Sequence, residues 1–244
     1  MTYCVGLQLD RGLVFLADTR TNAGVDNINT YPKLHRWEVP GERSMVLMTA
    51  GNLATTQAVV SLLDERNLAP DDRTSTLLNV PSMFQAARLV GQTLREVIAE
   101  SRGDVIASGR PTFSASIILG GQVKGSEPRL YLIYPEGNFI EAQIETPFFQ
   151  IGETKYGRPI LVRAYDRDMS FERAVKLLMV SFDSTIRANL SVGMPLDLQI
   201  IETDALRLGH ARRIEDTDTD WRAISDGWSD ALRQAFDSLP GVQL

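Results

Sequence analysis

A chain of 244 residues, 43% hydrophobic and 23% charged, has the composition of an ordinary globular protein and suits one large domain better than two small ones. Its net charge of −6 and pI of about 5.1 leave no basic field to hold nucleic acid or an anionic membrane. The single cysteine, Cys4, excludes an internal disulfide and a cysteine-based zinc site.

The opening Met1-Thr2-Tyr3-Cys4 has no basic stretch followed by an apolar core, and the longest apolar runs, such as 116–119, are far short of a membrane span. The cytoplasm is the expected compartment. Residues 2–10 alternate, with Tyr3, Val5, Leu7 and Leu9 on one face and Cys4, Gly6 and Gln8 on the other, the period of a half-buried strand. Arg11-Gly12 supplies a turn, and 13–17 reads as the more buried returning strand of a hairpin. The chain thus starts inside a sheet. Residues 18–30 are polar and rich in Gly and Asn, a loop composition. A second hairpin is expected from 33–39 and 44–50 across Pro40-Gly41. Gly51 ends it, and Asn52 suits the N-cap of a helix reaching Leu63, with Leu53, Val59, Val60 and Leu63 apolar. Pro70-Asp71-Asp72 breaks that helix. An amphipathic helix follows over 82–100, its stripe formed by Phe84, Leu89, Val90, Leu94, Val97 and Ile98.

Strand periodicity returns over 113–120, and Gly120-Gly121 reads as a hairpin turn. Further strands are expected at 130–134, at 138–142 beyond a Pro135-Glu136-Gly137 turn, and at 148–151. Helices are expected at 156–164 and at 170–190, the second opened by Ser170; 196–202 is a closing strand and 219–238 a terminal helix. The order is strands, two helices, strands, two helices, strand. An α+β fold with two antiparallel sheets between helix layers, a four-layer α/β/β/α sandwich, satisfies it, though periodicity alone also admits other α+β arrangements.

Removal of Met1 would expose at Thr2 a hydroxyl and a free α-amine together. A threonine hydroxyl needs a base to take its proton, and an α-amine, with a reference pKa of about 7.7–8.0, is well matched to that duty. Ala17-Asp18-Thr19-Arg20 ends the second strand, which the hairpin returns toward Thr2, and Lys33 opens the third strand. Thr49-Ala50-Gly51-Asn52 is a strand-to-helix turn whose backbone amides are free for a developing oxyanion. A lysine beside the hydroxyl would favour its alkoxide, and an aspartate would keep that lysine charged and oriented. Singly, each has a structural reading: Asp18 as a turn residue, Lys33 as a solvated strand end, Gly51 as punctuation.

In this order the residues resemble the proteasome β-type family of N-terminal nucleophile hydrolases, most specifically over 2–57. The resemblance implies Thr2 as nucleophile and base, Asp18 and Lys33 as the activating pair, Gly51 as oxyanion donor, and Ser191 as a further site residue. The opening Met-Thr-Tyr-Cys-Val-Gly and the extended segment after Asp204 are similar to the bacterial Anbu branch of that family. Residues 1–244 are therefore read as one domain, with 205–244 a C-terminal helical extension. Two stretches depart from the family pattern. Ile151-Gly152-Glu153-Thr154 stands where glycine-serine-glycine is usual, and Ala188-Asn189-Leu190-Ser191-Val192-Gly193 stands where aspartate-x-x-serine-glycine-glycine is usual, Ser191 matching and Asn189 only approximately replacing the aspartate. An activity that is weak or narrowly directed is the expectation.

By resemblance the reaction is hydrolysis of peptide or amide bonds through an acyl-enzyme on Thr2, without cofactor or metal. The implied partners are a peptide or protein substrate, further copies of the chain in a ring or open spiral, and an unidentified regulator. The alternative is a noncatalytic assembly or binding subunit of the same fold. His35 and His210 lack metal-ligand spacing, and neither a G-x-S-x-G elbow nor a phosphate-binding glycine loop is present. The acids of 215–220 read as a solvated run before a divalent-ion site. Trp221, Trp228, Leu232 and Phe236 fall at helical spacing, explained by core packing or, second, by a partner-subunit groove.

Overall fold

The computed structural model describes residues 2–22, 28–68, 75–103 and 113–243. The chain opens with the hairpin of β1 (Tyr3–Leu9) and β2 (Gly12–Asp18), then the short β3 (Arg20–Asn22) and β4 (Ile28–Thr30). A second hairpin, β5 (Leu34–Val39) and β6 (Arg43–Gly51), leads into α1 (Leu53–Asn67) and α2 (Met83–Gly103). Strands β7 (Ala115–Val123), β8 (Arg129–Ile133), β9 (Phe139–Glu141) and β10 (Phe148–Gly152) follow, then α3 (Arg158–Ala164) and α4 (Phe171–Ala188). The chain closes with β11 (Leu196–Glu202), β12 (Ala211–Ile214) and α5 (Thr219–Asp237).

Two five-stranded sheets result, ordered β10-β1-β2-β11-β12 and β5-β6-β7-β8-β9, with every pairing antiparallel. Three apolar clusters separate four layers. Tyr3, Val5, Leu7, Leu16 and Leu196 meet Leu178 and Phe182 of α4. Met45, Leu47, Ile117 and Tyr131 meet Val90 and Leu94 of α2. Cys4, Phe15, Met48, Ile118 and Leu130 fill the space between the sheets. The expected four-layer α+β sandwich is the fold.

Because both faces of the first sheet are covered, β1 is buried on both sides and not half-buried as its alternation suggests. The expected loop at 18–30 instead contains the antiparallel pair β3–β4 over its described part. Asn52 caps α1 as expected, its Oδ1 accepting from the Thr55 N–H at 3.1 Å, and the helix runs four residues past Leu63. The break at Pro70-Asp71-Asp72 lies outside the described residues. Phe84, expected in the α2 core stripe, is 49% exposed and stands edge-on to Phe139 at 5.4 Å. Helix α4 stops two residues before Leu190, at its C-cap Asn189. The expected closing strand β11 is not the edge of its sheet: β12, within the segment expected to be helical, pairs outside it.

Gly120-Gly121 is not a turn. Both residues sit inside β7, paired with Val46 and Met45 of β6. A side chain at Gly120 would overlap Phe15 from the facing sheet, and one at Gly121 would collide with the Ser44 carbonyl oxygen. Glycine serves here as room for close approach, a use with the same one-letter signature as a turn. The α5 stripe is also split: Trp221 is buried and Trp228 half-buried, whereas Leu232 and Phe236 are exposed, so core packing accounts only for its N-terminal half. Gly121→Ala should therefore lower stability by about 1–3 kcal/mol through overpacking, read as a lower urea midpoint at unchanged slope.

Candidate active site

Asp18 ends β2 with no solvent exposure, opposite Leu196 of β11. Lys33 immediately precedes β5, and its carbonyl is fixed by the Thr49 N–H of β6 at 3.0 Å. These two positions, distant in the chain, meet: Lys33 Nζ donates to Asp18 Oδ1 at 2.6 Å and to the Arg20 carbonyl at 2.7 Å. The same carboxylate accepts two backbone N–H groups, Tyr3 on Oδ1 at 3.0 Å and Gly193 on Oδ2 at 3.3 Å. Burial pushes the Asp18 carboxyl above the usual carboxylate range, and the Lys33 ammonium, followed by the two N–H donors, opposes that shift.

Thr2 lies at the mouth of β1 with 7% exposure. Its carbonyl accepts the Glu153 N–H at 2.6 Å, so the Thr2–Tyr3 peptide is held on both sides, by Glu153 at the oxygen and Asp18 at the nitrogen. Gly152, at φ +83, makes this approach possible, since any Cβ there would strike the Thr2 carbonyl. Gly51, at φ +120, ends β6 at the surface. The Thr49 N–H bonds the Lys33 carbonyl on the β5 side and the Asn52 N–H bonds the Ser114 carbonyl on the β7 side. By the alternation of an antiparallel ladder, the Gly51 N–H points to the β5 side, past the start of that strand.

Residues 189–195 are fastened to the end of β2 by three successive residues. Asp18 takes the Gly193 N–H, the Thr19 hydroxyl donates to the Pro195 carbonyl at 2.7 Å, and Arg20 Nη1 donates to the Leu190 carbonyl at 3.0 Å. Ser191 enters through its backbone, its N–H donating to Asn189 Oδ1 at 3.0 Å, and Asn189 Nδ2 donates to Glu153 Oε2 at 3.0 Å. The structure thus brings Asp18 and Lys33 into direct contact and ties the Thr2–Tyr3 peptide to Asp18, whereas Gly51 bonds within its own sheet and Ser191 bonds Asn189. Sequence reasoning quoted Thr19 and Arg20 without seeing that they hold a loop; only the run of hydrogen-bonding side chains after Ala17 hinted at it.

Nearby groups limit the chemistry. The Cys4 thiol points at the Thr49 carbonyl at 3.8 Å, and burial pushes it far up, so it stays a neutral packing group beside Thr2. The Tyr3 hydroxyl takes Gln150 Nε2 at 2.7 Å and meets Ser181 Oγ at 2.7 Å; burial pushes the phenol up to about 12, and it anchors β1 to α4 as a neutral group. Among the described residues no three His, Cys, Asp or Glu side chains converge as a metal site requires. In the run 215–220, Asp218 and Asp220 pair with Arg212, and Glu215 with Arg213. No helix among the described residues is long and apolar enough to cross a membrane. A groove of about 700 Å³ between α4, α5 and β11 is lined by Leu198, Ile200 and Glu202, toward the end of β11 away from Asp18.

A family model described as "Proteasome subunit" matches residues 2–201. The proteasome subunit beta of Methanocaldococcus jannaschii is 26% identical over 219 residues, covering 88% of this chain and 87% of that protein. Two solved structures superpose closely. The Anbu (ancestral beta-subunit) protein of Yersinia bercovieri is 47% identical, covers 99% of this chain and 100% of its own, and gives a TM-score of 0.92. A helical assembly of the Anbu complex from Pseudomonas aeruginosa is 48% identical, covers 99% of this chain and 98% of its own, and also gives 0.92. With the fold, the Asp18–Lys33 contact and these likenesses in agreement, the chain belongs to the proteasome subunit family and is built like the Anbu proteins within it.

Proposed function

We propose that this chain is a threonine peptidase subunit that cleaves peptide or amide bonds through an acyl-enzyme on Thr2, within an oligomer of its own copies. The observation that carries the reading is Lys33 Nζ at 2.6 Å from Asp18 Oδ1, with the Tyr3 N–H on that same oxygen. The buried Lys33 side chain thus shares one carboxylate oxygen with the first peptide N–H of β1, which supports the reading.

Cleavage of the chain before Thr2 frees its α-amine. The hydroxyl oxygen then attacks the scissile carbonyl while the α-amine takes the hydroxyl proton. Lys33 uses two of its three N–H groups on Asp18 and Arg20, and the third serves the threonine oxygen. The Gly51 N–H receives the oxyanion, and collapse of the tetrahedral species expels the amine with the proton the α-amine took. Water, deprotonated by the same amine, hydrolyses the ester and restores the hydroxyl. Self-association draws support from the helical assembly of the Pseudomonas aeruginosa relative.

Intact mass of the purified protein should correspond to a chain starting at Thr2, and a peptide vinyl sulfone should add one equivalent that Thr2→Ala abolishes. An unlabelled wild-type protein with Thr2 exposed would leave the noncatalytic alternative standing. Lys33→Met should slow labelling by about 100-fold or more and lower stability by about 3 kcal/mol, since it strands the buried Asp18 carboxylate. Adding Asp18→Asn should return much of the stability and none of the labelling. On acidification the labelling rate should fall first as the α-amine base is protonated, near its reference pKa of about 7.7–8.0, and fall again at a lower pH, still above the ordinary carboxylate range, as Asp18 takes its proton. The sign follows from burial: a raised Asp18 pKa retains the proton to higher pH, and a neutral carboxyl no longer holds Lys33. By linkage, that tighter proton binding favours the folded state below the unfolded carboxylate pKa and fades as pH rises through the folded one. Activity should therefore be lost in acid before the fold is, a separation visible by comparing rate and circular dichroism across one titration.

A further inference from the structure

We infer that Glu153 and Asn189 are a matched pair of positioning residues for Thr2, an inference that rests on the peptidase reading. Glu153 is 8% exposed, and its backbone N–H donates to the Thr2 carbonyl at 2.6 Å. Its carboxylate is held by two uncharged donors, the Lys155 N–H on Oε1 at 2.8 Å and Asn189 Nδ2 on Oε2 at 3.0 Å. Asn189 caps α4 with its own N–H on the Thr185 carbonyl at 2.9 Å, and its Oδ1 accepts the Ser191 N–H at 3.0 Å. A carboxylate can only accept and a backbone N–H can only donate, so the Asn189 amide has one allowed orientation.

Two residues beyond Ser191, the Gly193 N–H reaches Asp18 Oδ2 at 3.3 Å, and Asp18 returns to the Tyr3 N–H at 3.0 Å. The contacts close a circuit that begins at the Thr2 carbonyl and ends on the N–H of the next residue. Glu153 and Asn189 form its distal half. They set where the 189–193 loop lies, and that loop delivers a donor to the carboxylate that orients Lys33.

The pair is chemically complementary and cannot be changed one member at a time. Glutamine at 153 offers one acceptor where the Lys155 and Asn189 donors need two. Aspartate at 189 sets two carboxylates about 3 Å apart, and like charges that close oppose joint ionisation. Exchanging both at once satisfies these three bonds: a glutamine oxygen accepts from Lys155, its NH₂ donates to the new aspartate, and the second aspartate oxygen accepts from Ser191.

The test compares Glu153→Gln, Asn189→Asp and the exchanged pair by two readouts: vinyl sulfone labelling of Thr2, and hydrogen exchange of peptides spanning 151–155 and 190–194. Each single variant should slow the bond-forming step about tenfold at unchanged probe affinity and weaken amide protection, and the exchanged pair should return to within about threefold of wild type. Single variants that match wild type, or an exchanged pair no better than the worse single, would overturn the inference. Should a single variant fail to fold, recovery of folding by the exchanged pair supports the pairing, and failure of both refutes it. A wild-type protein that takes no label removes the peptidase reading alone. Amide protection then decides the pair by the same ordering of variants.

Discussion

A carboxylate with no exposure to water is tolerated only where donors surround it, and Asp18 draws its donors from three separate stretches of chain. Lys33 supplies charge from the entry to β5, Tyr3 a backbone N–H from β1, and Gly193 another from the turn after α4. An isolated buried charge would be penalised by several kcal/mol or neutralised, so the bonds form together or not at all. That requirement ties three segments, at 3, 33 and 193, to one oxygen pair. The site is in this sense a consequence of keeping one ion dry.

The sandwich provides the dryness. With helices on one face of the first sheet and the second sheet on the other, β2 is buried along its whole length and β1 everywhere but at Gln8. A residue at the mouth of such a strand inherits its rigidity, which suits the nucleophile role proposed for Thr2. Close sheet packing demands its own sacrifices. Gly120 gives way to Phe15, Gly121 to the Ser44 carbonyl, and Gly152 to Thr2, where any side chain would occupy a neighbour's place.

The C-terminal region follows a different logic. Helix α5 is joined to α4 by a compact polar contact in which the Ser225 hydroxyl donates to Asp183 Oδ1 at 2.6 Å while Arg187 bridges both residues. Its first turns are buried around Trp221, but Leu232, Phe236 and Leu239 project from the body. The family model ends at residue 201, so β12 and α5 both lie beyond what it describes.

Alternation and capping made most elements readable, because strand period and an N-cap such as Asn52 are local properties. The Asp18–Lys33 pairing was readable too, since the two residues keep a recognisable order along the chain between Thr2 and Gly51. What local pattern could not convey was any decision made by a distant neighbour. Whether both faces of β1 are covered depends on a sheet built from residues 34–141, and whether Gly120-Gly121 turns or packs depends on Phe15. The strand β12 was missed because four residues, Ala-Arg-Arg-Ile, show no period until β11 offers its free edge. Glu153 and Asn189 looked like two unrelated departures, and only their meeting at 3.0 Å shows one to be the answer to the other. Sequence determines which groups are present and their local conformation; burial and hydrogen-bond partnership between distant segments exist only once the layers close.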